Sequence, residues 1–285
     1  MSHILVAPDK FKGSLTAAQV AAHLAIGLRT VHPEAEVTRM PIADGGEGTV
    51  DAAVAAGFAR RTFSVTGPLG DPVEADVAIR GRTAVVELAE ASGLNRTGGV
   101  ADPLRATSHG TGELLLAVRD HGCRRIVLGL GGSACTDGGA GMVQALGARL
   151  TDAAGADLAP GGAALSDLAT VDSKAMARDW RGIDVILATD VDNPLRGTGG
   201  AAAVYGPQKG ADTGDVDVLA AGLDRLATIV ARDTGVDHAD APGAGAAGGV
   251  GYAALTFLRA RQVAGVDLLL DLVGFADRLG DATLV

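Results

Sequence analysis

With 285 residues, 47% of them hydrophobic, the chain can bury a large core in one domain or two and needs no disulfide or metal staple. A formal net charge of −10 speaks against a nucleic-acid partner, which requires a basic face, but leaves room for phosphates held by backbone N–H groups, a few lysines and Mg²⁺. Cys123 and Cys135 form no Cys-x-x-Cys pair, the first residues lack the marks of a signal peptide, and no run nears the roughly 18 apolar residues of a membrane span, so a cytoplasmic protein with reduced thiols is expected.

Ile4 to Ala7 reads as a short buried strand, followed by a loop and by helical spacing from Leu15 to Leu28, with Ser14 or Thr16 as cap. Glu36 to Ile42 reads as a second strand, then a loop from Ala43 to Gly48 and a helix to about Ala56, an alternation that predicts a parallel sheet. From about Arg60 the pattern changes. Thr62–Val65, Val73–Ile79 and Thr83–Leu88 are short strands joined by turns, as in antiparallel hairpins. Alternation then returns, with helices at Gly112–Arg119 and Gly138–Leu146 and strands at Arg125–Leu130 and Ile183–Thr189. Val216–Arg232 reads as an amphipathic helix and Val266–Leu272 as a strand or strand-like segment.

Four loops have the composition for chemistry. Asp9 to Ser14 follows the first strand, where parallel sheets bind ligands, and offers two lysines and a helix start to an anion; an ordinary solvated turn fits equally. Ala43 to Thr49 combines three glycines with Asp44 and Glu47, suited to a metal, a substrate proton or a helix cap. Gly129 to Gly141 can form a concave nest of N–H groups and contains a Gly-x-Gly-x-x-Ala, with Asp152 near the acidic position of a dinucleotide fold. In Thr189 to Leu195, Asp190 and Asp192 would project to one side if the strand continued through them, as for Mg²⁺ or general-base work; an Asx turn before Pro194 is the alternative. No P-loop, protein-kinase signature, nucleophile elbow or HExxH is present.

Taken together, APDKFKGSLTA, PIADGGEGT, ATSHGTGELL, LGLGGSACTDGGAGM, DVDNPL and YGPQKGAD closely resemble the type I glycerate kinase family in order and spacing. The resemblance implies ATP- and Mg²⁺-dependent phosphorylation of glycerate, commonly to 2-phosphoglycerate. It implies two unlike α/β domains: a flavodoxin-like parallel-sheet domain from 1–60 and about 265–285, and an inserted restriction-enzyme-like mixed-sheet domain from 61–264. Relatives continue past the equivalent of Val285, so the flavodoxin-like domain is expected to be incomplete here, less stable and less active than at family length, with a homodimer through the open sheet edge as one remedy.

The expected catalytic residues are Asp190, Asp192, Asp44 and Lys12, with Asp190 and Asp192 as metal ligands. Substrate or phosphate contacts are expected from Lys10, Ser14, Gly45, Gly46, Glu47, Gly131, Gly132, Ser133, Thr136, Asp137, Gly138, Asn193 and Lys209. The rival readings are a nicotinamide-dependent oxidoreductase built on Gly129 to Ala134 and a non-catalytic truncated relative of the kinase.

Overall fold

The computed structural model describes residues 2–11 and 14–285; Lys12, an expected catalytic residue, lies outside them. β1 (His3–Val6), α1 (Ala17–Val31) and β2 (Glu36–Arg39) come first, and the two strands pair in parallel. Leu284 adds a parallel bridge beside Ile4, and the Leu5 N–H donates to its carbonyl at 2.9 Å. Thr16 rather than Ser14 caps α1, exchanging hydrogen bonds with Gln19 in a capping box.

After α2 (Thr49–Ala55) come the hairpin strands β3 (Ala59–Thr66), β4 (Pro72–Arg80) and β5 (Thr83–Glu87), then α3 (Leu88–Ser92) and α4 (His109–Asp120). β6 (Arg125–Gly129), α5 (Ala140–Ala145), β7 (Arg149–Thr151), β8 (Thr170–Asp172), α6 (Lys174–Asp179) and β9 (Asp184–Ala188) follow. The remaining elements are α7 (Ala201–Tyr205), α8 (Thr213–Thr234), α9 (Ala246–Phe257), β10 (Arg261–Val263), α10 (Gly265–Val273) and α11 (Phe275–Gly280). A six-stranded mixed sheet runs in the order β10-β9-β6-β5-β4-β3, parallel from β10 to β5 and antiparallel from β5 to β3. The molecule is thus α/β, with a small parallel sheet and a larger mixed one. Among the described residues no helix is long and apolar enough to cross a membrane.

The period-two alternation of strands assigns the two faces of the large sheet. Ala84 and Val86, Ile126 and Leu128, and Val185 and Leu187 enter the main core, which also holds buried residues of α4, α5, α8 and α9. Val85, Val127, Ile186 and Ala188 face the other way, onto Val50 and Ala53 of α2 and Leu268 of α10. Continuing each strand by that parity puts Glu87 and Gly129 on the α2 side, which positions the site described below.

The expected strand at Val266–Leu272 is instead the helix α10. Leu268, Leu269 and Val273 are buried at helical spacing, and Gly274 closes the helix in the left-handed conformation, so the apolar run follows a period of 3.6 rather than 2. The strand of this region is the shorter β10 just before it.

α9 was not foreseen. Its first turn carries three consecutive left-handed residues, Ala247 (φ 52°), Gly248 (φ 67°) and Gly249 (φ 96°). For Ala247 that conformation costs about 1–2 kcal/mol. Ala247→Gly is therefore expected to raise stability by about 0.5–1 kcal/mol once the greater freedom of glycine in the unfolded chain is subtracted. A higher denaturant midpoint at unchanged m-value would show it; a lower midpoint would mean that the methyl packs well enough to outweigh the strain.

Candidate active site

A cleft of about 840 Å³ opens at the carboxyl ends of β5, β6 and β9 and is closed on its far side by the loop after β1 and the start of α1. In open α/β sheets this end of the strands is where ligands bind. Two glycine loops form its floor by direct backbone contact. Gly45 (φ 90°) lies so close to the Ala188 carbonyl that a side chain would collide with it, and a Cβ on Gly131 would lie 2.5 Å from the Cα of Gly46. The glycines that suggested an anion nest therefore also serve the close approach of the two loops.

Several expected site residues meet here. Lys10 reaches over from the loop after β1: its Nζ donates to the Glu47 carbonyl at 2.8 Å and lies 3.9 Å from the Asp44 carboxylate. Asp44 Oδ1 accepts the Gly46 N–H at 3.0 Å, shaping the turn. Asp190 lines the cleft and its Oδ1 accepts the Gly265 N–H at 3.1 Å, which ties the end of β9 to the start of α10. Ser14, Gly45, Gly46, Glu47, Gly131 and Gly132 also line it.

Others are placed elsewhere. β9 ends at Ala188, so Asp190 and Asp192 are not a strand-borne pair; Asp192 is exposed and off the cleft wall. Asn193 spends its amide within the fold, donating to the Gly199 carbonyl at 2.8 Å and accepting from the Tyr205 hydroxyl at 2.7 Å. Ser133, Thr136, Asp137 and Gly138 are buried behind the loop. Asp137 accepts the hydroxyls of Thr107 and Ser108 and the N–H groups of Ser108, Gly139 and Gly141, joining the starts of α4 and α5. Lys209, 3% exposed, points its Nζ at the Cys135 carbonyl and the Thr136 hydroxyl, and burial lowers its pKa. These residues build the loop from behind rather than line the cleft.

The dinucleotide reading fails on the same loop. A Rossmann fingerprint needs the helix to start within the glycine turn, whereas α5 starts only at Ala140 and its N-terminal N–H groups are taken by Asp137. Asp152 closes a local turn through the N–H groups of Ala154 and Ala156.

Sequence reasoning missed Glu87, the last residue of β5. It borders the cleft yet is 2% exposed, and its carboxylate accepts the Gly48 N–H at 3.2 Å and the Val50 N–H at 3.3 Å. An acid ending an apolar strand run, Ala84-Val85-Val86-Glu87, was the available signal. Burial pushes its pKa from 4.5 up to about 7; the Glu90 and Asp51 charges add to the rise, and the Val50 and Gly48 N–H groups oppose it. Between those two values the folded protein holds a proton that the unfolded chain has lost, so this group's contribution to stability declines as pH rises through the window. The loss amounts to roughly 2–4 kcal/mol. Glu87→Gln is expected to flatten the fall in unfolding free energy between pH 5 and about 8 by that amount. An identical pH slope in both proteins would show that Glu87 does not titrate there.

The Glycerate kinase family model matches residues 4–285 of this chain. Glycerate kinase of Bacillus subtilis (strain 168) is 46% identical over 286 residues, covering 99% of this chain and 75% of the relative. Glycerate 2-kinase of Escherichia coli (strain K12) is 43% identical over the same length and with the same coverage. The crystal structure assigned to glycerate kinase 2 of Salmonella typhimurium LT2 superposes with a TM-score of 0.89 at 45% identity, over 99% of this chain and 76% of that one.

Proposed function

Because the chain belongs to the glycerate kinase family, we propose that its ATP-dependent phosphorylation of glycerate takes place in the cleft between the β1–β2 unit and the large sheet. The chain is a kinase, a transferase that moves a phosphoryl group from ATP to a hydroxyl of glycerate. On this reading the accepting hydroxyl is the one at carbon 2. The observation that carries the placement is the convergence of Lys10, Asp44 and Asp190 on one cleft floored by the two glycine loops.

Phosphoryl transfer asks little of a protein beyond positioning and charge neutralisation. Lys10 is the one cation among the described residues that line the cleft, and it is assigned to the phosphates or the glycerate carboxylate. Among the described residues no three acidic, histidine or cysteine side chains converge into a metal cage. Mg²⁺ needs no such cage, because it usually takes one or two carboxylates together with water and substrate phosphates, and Asp44 and Asp190 fit that donor set. When bound there it would neutralise charge on the phosphate oxygens. Asp190 or Asp44 also receives the proton of the attacked hydroxyl on this reading, while Gly131 and Gly132 form the wall against which the substrate rests. On this reading the domains run over 1–60 with about 265–285, and over 61–264, with α2 and α10 of the first packed on the large sheet of the second, and the enzyme works in the cytoplasm on small molecules.

Lys10→Ala tests the placement. KM for ATP or glycerate is expected to rise roughly tenfold or more, as for loss of a charge-assisted contact, at a melting temperature close to that of the parent. Equilibrium binding is expected to favour ATP–Mg²⁺ over NAD(H). Unchanged KM for both substrates would remove Lys10 from the site.

A further inference from the structure

α1 and α8 cap their own first turns, with Thr16 and Asp212 accepting local N–H groups in capping boxes. α2 does not. Its N-cap is Gly48 in the left-handed conformation, without a side-chain cap, and the N–H groups of Gly48 and Val50 are met instead by Glu87, 37 to 39 residues away at the end of β5. Gly48 ends the glycine loop, which Lys10 also holds next to it through the Glu47 carbonyl and Gly131 holds at its start through the Gly45 carbonyl. A buried carboxylate is an expensive way to satisfy two N–H groups, and the left-handed backbone at position 48 (φ 96°) disfavours a capping side chain there. What Glu87 does that a local cap cannot is fix the loop relative to the carboxyl end of the central strand, and hence relative to Gly131 and Asp190.

We propose that Glu87 is a positioning residue for the phosphoryl transfer, whose carboxylate anchors the start of α2 and holds the Gly45–Gly48 loop in register with the strand ends that carry the rest of the site. This rests on the cleft being the place of reaction. The anchor is strongest when the carboxylate is charged. Oε2 accepts both N–H groups and Oε1 shares that of Gly48, so a proton on Oε1 leaves the bonds in place but removes the charge that strengthens them, which loosens the loop. The charged groups around it are Glu90 on α3 and Asp51 on α2, both acids that favour its protonated form, while Lys10, Asp44, Glu47 and Asp190 line the same cleft further off. The pKa of about 7 set by burial therefore puts the change near neutral pH, with the rate falling on the acid side.

The test compares Glu87→Ala, Glu87→Gln and Asp190→Asn with the parent at saturating ATP–Mg²⁺ and glycerate from pH 5.5 to 8.5. Glu87→Ala is expected to lower kcat about a hundredfold, the scale of an ångström-sized misplacement, with a smaller change in KM. Glu87→Gln, which keeps one acceptor oxygen, is expected to recover much of that rate and to lose the acid limb near pH 7. Glu87→Ala at parental kcat, or an unchanged acid limb in Glu87→Gln, overturns the proposal. Should the alanine variant fail to fold, the pH profile of the glutamine variant decides alone. If Asp190→Asn also runs at the parental rate, the placement of the reaction has failed rather than the role of Glu87.

Discussion

Asp190→Asn is expected to lower kcat by about a hundredfold or more while leaving the melting temperature nearly unchanged. The substitution is close to isosteric. Its remaining carbonyl oxygen can still accept the Gly265 N–H that the Asp190 carboxylate accepts at 3.1 Å, so the link from β9 to α10 survives. What disappears is the negative charge in the cleft, and with it a metal ligand or a proton acceptor. Asp192→Asn provides the contrast. This residue is exposed and off the cleft wall, so its loss is expected to change kcat by much less. Steady-state kinetics beside thermal melts separate the two. Equal, large losses in both variants would mean that the loop from Asp190 to Leu195 rearranges when substrates bind.

Gly131→Ala is expected to damage both stability and rate. The new methyl would lie 2.5 Å from the Cα of Gly46, a backbone atom that cannot swing aside as a side-chain tip can. Overpacking of this kind costs about 1–3 kcal/mol. The strain is relieved by parting the two loops that form the floor of the cleft, and a shift of about 1 Å there can cost a hundredfold in rate. Gly57→Ala separates the two effects. Gly57 has φ 94° with open space where a Cβ would go, so that variant is expected to lose about 1–2 kcal/mol of stability from backbone strain and to keep its kcat. A Gly131→Ala protein with parental kcat would show that the contact between the loops does not set the active geometry.

Much of this is legible in the sequence. The apolar strand runs, the hairpin block after Arg60 and the glycine bursts at strand ends each obey local rules of periodicity and turn chemistry, and those rules placed Lys10, Asp44, Gly131 and Asp190 in loops that do meet. The failures have physical causes too. Leu268, Leu269 and Leu270 stand consecutively in a short apolar run, where strand and helix periodicity cannot be told apart, and only tertiary packing selects the helix. α9 hides behind glycines because three left-handed residues open it. Asp137 and Lys209 sit in glycine-rich motifs of the kind that bind phosphates, yet burial turns them into internal ties, and burial is a property of the whole fold. Glu87 was missed for the converse reason. It sits inside an apolar strand run, and its role comes from a loop 37 to 39 residues earlier in the chain.

The most direct measurement is glycerate-dependent ADP release by the 285-residue chain, followed by a coupled assay with ATP–Mg²⁺ and run beside Asp190→Asn. ADP is expected to appear only when glycerate is present, in step with phosphoglycerate, and to fall by about a hundredfold in the variant. ADP release that ignores glycerate, or that continues at the parental rate in Asp190→Asn, would contradict the assignment of glycerate phosphorylation to this cleft.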